Sequence, residues 1–205
     1  MKILKVQELV NQESVNEAKS HKYEFGCVML NFKVDDWKKD VLSIIDEDDI
    51  YDEPGFGLED KIHVTVFFGI KPDKTEPNEV KEMVLESDID IDKEYLLENI
   101  SIFENNDDYD VVKFDVKKCR EKGDDELLNC TDLKKLNKLI KDEFPNKQDF
   151  PDYVPHVTIG YVKRGKGKKY IQKLDKPIIA KPSKLTYSYP SEKGDGKRTI
   201  NIIEY

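Results

Sequence analysis

Short runs of apolar and β-favouring residues recur along the chain, separated by polar segments rich in turn residues. Runs of this length and composition predict β-strands. The predicted strands cover residues 23–32, 62–70, 99–103, 109–116 and 155–162. Two further strands, at residues 185–189 and 198–205, predict a hairpin that turns around residues 194–196.

Helical spacing of apolar residues is confined to a few segments. Residues 127–144 carry leucines and an isoleucine at intervals of three and four, which predicts the strongest helix of the chain. A second helix is predicted over residues 76–87 and a short one over residues 170–174. Asp35 or Asp36 is expected to cap a helix that places Trp37, Val41, Leu42 and Ile45 on one face.

The order of these elements repeats once along the chain. Strand, helix, long loop, strand, helix, strand occurs before about residue 104 and again after it. This repeat predicts one bilobal domain over residues 1–205, with lobes at about 21–104 and 105–205 and an N-terminal extension over residues 1–20. Because several connections are typical of hairpins, we expect an α/β (α+β) fold with mainly antiparallel sheets rather than a doubly wound parallel sheet.

One short pattern occurs in both halves, as HVTV at residues 63–66 and HVTI at residues 156–159. Side chains i and i+2 of a strand share a face, so each histidine projects with its threonine, while the apolar residues face the core. Histidine can donate or accept a proton near neutral pH, and two histidines can therefore act as general base and general acid on a phosphodiester. Threonine hydroxyls can bind its non-bridging oxygens.

Two plainer interpretations of these histidines remain open. A single HxT string is most simply a half-buried strand histidine beside a threonine. A metal site built from the two histidines is a second alternative, although no carboxylate or other third ligand follows at a fixed spacing.

Paired HxT motifs about half a chain apart resemble the 2H phosphoesterase superfamily. That family implies two pseudo-symmetric lobes around a central cleft, with His63, Thr65, His156 and Thr158 as the catalytic residues and with no cofactor or metal. It includes cyclic nucleotide phosphodiesterases, RNA ligase-like 2',5' enzymes and phage nucleases that act against CBASS immunity.

Two short features are most similar to the phage branch of this family. These are the Gly-Leu-Glu string at residues 57–59 and Pro155, directly before the second motif. The narrower resemblance implies cleavage of cyclic oligonucleotide messengers such as cGAMP, and so viral immune evasion in the host cytoplasm.

Three residues outside the motifs are predicted to bind substrate. Phe67 and Tyr161 follow the two motifs and are expected to face the cleft, where they could stack on a base or serve as packing. Lys166 belongs to a basic cluster after the second motif, which could steer phosphate or form a solvated loop. The cluster comprises Lys163, Arg164, Lys166, Lys168 and Lys169.

Composition narrows the partners. The formal net charge of -9 argues against duplex DNA or long RNA and favours a small nucleotide. Three cysteines without a CxxC pair indicate a reducing compartment. Because the sequence contains no long apolar run, we expect neither a signal peptide nor a membrane span, and therefore a cytoplasmic location.

The sequence therefore predicts a metal-independent phosphodiesterase that acts on a small nucleotide, with a cyclic oligonucleotide as the first substrate hypothesis. A second hypothesis is an RNA-end enzyme acting on a 2',3'-cyclic phosphate or a 2',5' linkage. A third, from another class, is a protein that sequesters nucleotides without turnover.

Overall fold

The computed structural model describes residues 24–34, 37–104, 107–148, 152–191 and 196–205. The strands are β1 (Gly26–Lys33), β2 (His63–Ile70), β3 (Glu94–Phe103), β4 (Tyr109–Asp115), β5 (Lys118–Arg120), β6 (Leu128–Asn129), β7 (His156–Lys163), β8 (Gln172–Pro190) and β9 (Lys197–Glu204). The helices are α1 (Lys38–Leu42), α2 (Pro77–Glu86) and α3 (Asp132–Glu143), with 3-10 turns at Glu47–Asp49 and Gly167–Tyr170. The predicted extension over residues 1–20 and the Asp35 or Asp36 cap lie outside the described residues.

The described strands form one antiparallel sheet in the order β6-β5-β3-β4-β7-β2-β1-β8-β9. Strand β3 also pairs with β8, so six of the strands close into a ring. The prediction of an α+β fold with mainly antiparallel pairing is therefore confirmed.

Alternation of apolar side chains explains how the sheet builds its core. In β1, Val28, Leu30 and Phe32 are buried while the residues between them are half-exposed. In α3, Leu133 and Ile140 belong to an apolar stripe that is buried in the main core. An amphipathic helix and a half-buried strand both gain stability by burying such a face.

Two predicted helices differ from the observed elements. The helix predicted over residues 127–144 begins only at Asp132, because Leu128–Asn129 pairs with β5 instead. The helix predicted over residues 170–174 is wrong. Residues from Gln172 onward form β8, where pairing with β3 outweighs any local helical preference.

The ring of six strands has a local twofold pattern. Strand β1 flanks β2 as β4 flanks β7, and β8 and β3 follow on the outer sides. Both HxT strands also carry a bulge three residues after the histidine: Val66 is skipped in the β1–β2 register and Ile159 in the β4–β7 register. The two halves of the ring exchange a strand: β3 from the first half of the chain lies beside β4, and β8 from the second half lies beside β1. The two lobes divided near residue 104 stay a prediction.

Replacement of Asn137 tests how α3 supports the first bulge. Its buried side-chain amide donates a 2.8 Å hydrogen bond to the Val66 carbonyl. Asn137→Ala should lower the free energy of unfolding by about 1–3 kcal/mol, because the buried carbonyl loses its partner. Lys138→Ala, which removes an exposed ion pair with Asp142, should cost less than about 0.5 kcal/mol in the same urea titration. Equal decreases in the free energy of unfolding of the two variants would show that Asn137 does not support the bulge.

Candidate active site

Strands β2 and β7 meet only at their N-terminal ends. Val64 pairs with Val157, the one Cα pair that joins these two fully described strands. Both valines are fully buried, at 0% exposure. Beyond this overlap the two strands extend away from each other. The edge of β7 that β2 leaves uncovered pairs with residues 50–59, and the corresponding edge of β2 pairs with residues 145–147. The two HxT motifs therefore form the seam of the sheet.

The seam gathers four polar side chains on one face. Extending the Val64–Val157 register by one residue each way sets His63 opposite Thr158 and Thr65 opposite His156. Side chains directly opposite have Cβ atoms about 4.5–5.5 Å apart, and diagonal neighbours are about 7–8 Å apart. The two histidines are such diagonal neighbours, which leaves room for a phosphate between their rings. All four residues are half-buried.

Both histidines are held in the same way. The Nδ1 atom of His63 bonds to the Lys61 carbonyl, and that of His156 bonds to the Val154 carbonyl at 2.8 Å. A carbonyl oxygen only accepts, so Nδ1 must carry the proton in each neutral ring. The Nε2 atoms are then left with a lone pair when the rings are neutral and with a proton when they are charged.

The surroundings of His156 favour its neutral form. Burial lowers the pKa of His156 below its usual value of 6.5, and the positive charges of Lys113 and His63 lower it further. The bond to the Val154 carbonyl and the charge of Asp115 act in the opposite direction. A histidine that is neutral at pH 7 is suited to accept a proton.

Strand β4 adds an ion pair that the sequence prediction missed. Its register sets Lys113 opposite Thr158 and Asp115 opposite His156. Lys113 is only 3% exposed, and its Nζ atom lies 2.7 Å from Asp115 Oδ1. Although burial raises it, hydrogen bonds led by that from Lys113 lower the pKa of Asp115 to about 2. A lysine between the apolar residues Val112 and Phe114 of a predicted strand was the signal that the sequence offered.

Two residues of β3 complete the surroundings of this ion pair. Ser101 Oγ lies 2.7 Å from Lys113 Nζ and donates a 2.7 Å hydrogen bond to Asp115. The ring of Phe103 has Lys113 Nζ 4.3 Å from its centroid and meets the His156 ring edge-on, with centroids 5.0 Å apart. The cation, the aromatic ring and the imidazole thus form one continuous contact.

The predicted orientation of Phe67 is wrong. Phe67 is 1% exposed and lies in the hydrophobic core, because the bulge at Val66 reverses the alternation after Thr65. The half-buried residue after the bulge is Phe68, which stands five residues after His63, as Tyr161 stands five after His156. Phe68 contacts Phe25 with ring centroids 6.1 Å apart.

Tyr161 belongs to an aromatic group on the half-exposed face of β7. Its ring contacts Phe56 and Tyr109 with centroids 5.2 and 5.4 Å apart, and Tyr51 contacts the same two rings. Burial raises the pKa of Tyr161 to about 12. Five residues of strand separate it from His156 by about 16 Å, so its ring does not lie beside the histidine.

Lys166 is not brought to the histidines. It follows the far end of β7, roughly 23 Å of strand from His156, and its Nζ atom lies 3.8 Å from the Asp49 carboxylate. The other cations of the basic cluster also face acidic residues or their carbonyls: Lys163 with Asp48, Arg164 with Asp107, Lys168 with Glu104, and Lys169 with Asp46 and Asp49. Their field is largely neutralised locally.

No group of three or more His, Cys, Asp or Glu side chains in the described ranges is arranged to hold a metal ion. No helix of the described chain is long and apolar enough to cross a membrane.

The fold is similar to that of a solved protein. No protein-family model matches the chain, and no curated protein matches it in sequence. The structure of Usb1 from Kluyveromyces marxianus has a TM-score of 0.52 at 10% identity, over 87% of this chain and 98% of that one. The structure of the same protein with uridine monophosphate gives a TM-score of 0.51 at the same identity and coverage. This likeness shows the fold alone, an α+β fold with a mainly antiparallel sheet.

The shared geometry of the histidines can be checked by nitrogen NMR. At a pH where both rings are neutral, His63 and His156 should show a protonated Nδ1 and an unprotonated Nε2, because each Nδ1 faces a carbonyl. His63→Ala and His156→Ala each remove one signal and so assign the pair. An Nε2-protonated tautomer at either residue would contradict the structure.

Proposed function

We propose that the protein is a metal-independent phosphodiesterase that cleaves a nucleotide substrate between His63 and His156. The observation that carries this proposal is the seam, where two HxT motifs share one face and neither histidine Nε2 has a hydrogen-bond partner among the described residues. A structural role for the motifs does not require two half-buried histidines with the same ring orientation.

The two histidines have different tasks in this mechanism. His156 is the general base, since its buried ring is neutral: its Nε2 atom takes the proton of the attacking hydroxyl, from water or a ribose. His63 in its charged form is the general acid, and its Nε2 atom gives a proton to the leaving oxygen. The hydroxyls of Thr65 and Thr158 donate to the non-bridging phosphate oxygens, whose negative charge grows in the transition state.

A uridine nucleotide is the ligand that the fold comparison favours, since a structure of Usb1 includes uridine monophosphate, and an RNA end with a 2',3'-cyclic phosphate or a 2',5' linkage would contain such a unit. Cyclic oligonucleotides are the class that the resemblance of residues 57–59 and Pro155 to phage nucleases favours. The net charge of -9 supports a small ligand in both cases. Binding of a nucleotide without turnover is the remaining possibility, and the assay below separates all three.

Turnover in the presence of EDTA is the direct test. The protein is incubated with cyclic di- and trinucleotides, 2',3'-cyclic mononucleotides and short uridine-ended RNAs, and the products are resolved by chromatography. We expect one class to be cleaved and the rate to fall at least about 100-fold in both His63→Ala and His156→Ala, because each variant lacks one proton-transfer group.

His21→Ala is the matched control for this assay, since it removes the one histidine outside the motifs, and it should keep the wild-type rate. Cleavage that survives in both motif variants would contradict the proposed site. Tight binding of one nucleotide without product would establish sequestration instead.

The pH profile tests the assignment of the base. Because the pKa of His156 lies below 6.5 and the base must be unprotonated, the rising limb of kcat/KM should be centred below pH 6.5, and kcat/KM should fall again at higher pH because the general acid must be protonated. The measurement is kcat/KM for the cleaved substrate between pH 4.5 and 9. A rising limb centred above pH 6.5 would contradict His156 as the base.

A further inference from the structure

The local twofold pattern makes a comparison of the two histidines possible. On β1, Asn31 lies opposite His63 and Met29 opposite Thr65. The corresponding positions on β4 are occupied by Asp115, opposite His156, and by Lys113, opposite Thr158. The half around His63 therefore has an amide and a thioether where the half around His156 has an ion pair.

The next strands outward repeat the same correspondence. Asn31 Nδ2 donates a 3.1 Å hydrogen bond to Thr186 Oγ1 on β8, and Ser101 Oγ on β3 donates to Asp115. The hydrogen bond between the flanking strands is thus kept in both halves. What differs is the buried cation, Lys113, which has no charged counterpart at Met29.

A buried ion pair is energetically unfavourable to form, and the corresponding positions in the other half of the sheet, Asn31 and Met29, carry no charges. Removing a lysine and an aspartate from water costs several kcal/mol, which good geometry only offsets. Uncharged residues satisfy the same backbone positions in β1, so the sheet itself does not require the charges. A role at the adjacent His156 accounts for where they are found.

We propose, on the basis of the function proposed above, that Lys113, held in the sheet by Asp115, is a positioning residue that fixes the His156 ring through Phe103 and places a positive charge beside it. Phe103 links the two residues, because Lys113 Nζ lies over its ring and the His156 ring contacts the same ring edge-on. Asp115 holds Lys113 in place within the sheet through a 2.7 Å ion pair.

The charges that act on His156 come from two strands. From β4, Lys113 opposes protonation of the ring and Asp115 favours it; from β2, charged His63 opposes it. Lys117 contacts the other oxygen of Asp115 at 3.0 Å but is 67% exposed, so solvent screens its charge. Lys113 and Asp115 therefore affect His156 with opposite signs, which a purely structural role would not predict.

The test is an NMR titration of the histidine rings, which needs no turnover. Lys113→Met should raise the titration midpoint of His156 by about half a pH unit or more, and Asp115→Asn should lower it by a similar amount. Lys117→Met is the matched control, since it also loses a contact to Asp115, and should shift the midpoint by less than about 0.2 units. Lys113→Arg keeps the cation and should restore most of the wild-type value.

Opposite shifts in Lys113→Met and Asp115→Asn establish the electrostatic role, whether or not the wild type cleaves any substrate. If Lys113→Met does not fold, as its melting curve will show, the downward shift in Asp115→Asn and the value in Lys113→Arg decide. Shifts of the same sign, or no shift in either charge variant, overturn the proposal. If the wild-type protein cleaves no substrate and these shifts are still observed, only the proposed function is contradicted.

Discussion

The pairing of Val64 with Val157 is the contact on which the site depends. These two valines are the only Cα partners between β2 and β7, and their burial fixes which face of each strand is apolar. The opposite face of the overlap must then carry both histidines and both threonines. A slip of one residue in this register would turn one polar pair into the core, so the requirement for apolar burial also sets the geometry of the chemistry.

The symmetry around that contact is local and incomplete, and its incompleteness has chemical consequences. Two strands with the same motif, the same bulge and the same Nδ1–carbonyl bond give two histidines of similar orientation. Acid–base catalysis needs the two rings in different protonation states, which symmetric surroundings do not provide. Burial of His156 and the charge of Lys113 lower the pKa of its ring, while the corresponding neighbours of His63, Asn31 and Met29, are uncharged. In the proposed mechanism, the histidine of one HxT motif accepts a proton and the histidine of the other donates one.

Sequence patterns anticipated the parts of the structure that depend on local alternation. The strands around the two motifs and the shared face of each histidine and threonine follow from a period of two residues. Phe67 was misplaced because a bulge in the pairing with β1 breaks that period, at a carbonyl that accepts a hydrogen bond from Asn137 of a distant helix. The sequence could not decide whether the basic cluster carries free positive charge, because the acidic partners of Lys166 and Lys169 lie in residues 46–49, more than a hundred positions away. Lys113 was overlooked because its significance arises only when β4 is placed beside β7.

The most direct test of the central claim is a crystal structure of His156→Ala or the wild-type protein soaked with uridine monophosphate or with the substrate found to be cleaved. The account predicts a phosphate at the seam of β2 and β7, with its oxygens about 3 Å from the Nε2 atom of each histidine present and from the hydroxyls of Thr65 and Thr158. A nucleotide bound elsewhere, for example in the groove between α2 and α3 lined by Glu79, Glu82 and Leu139, with the seam empty, would contradict it.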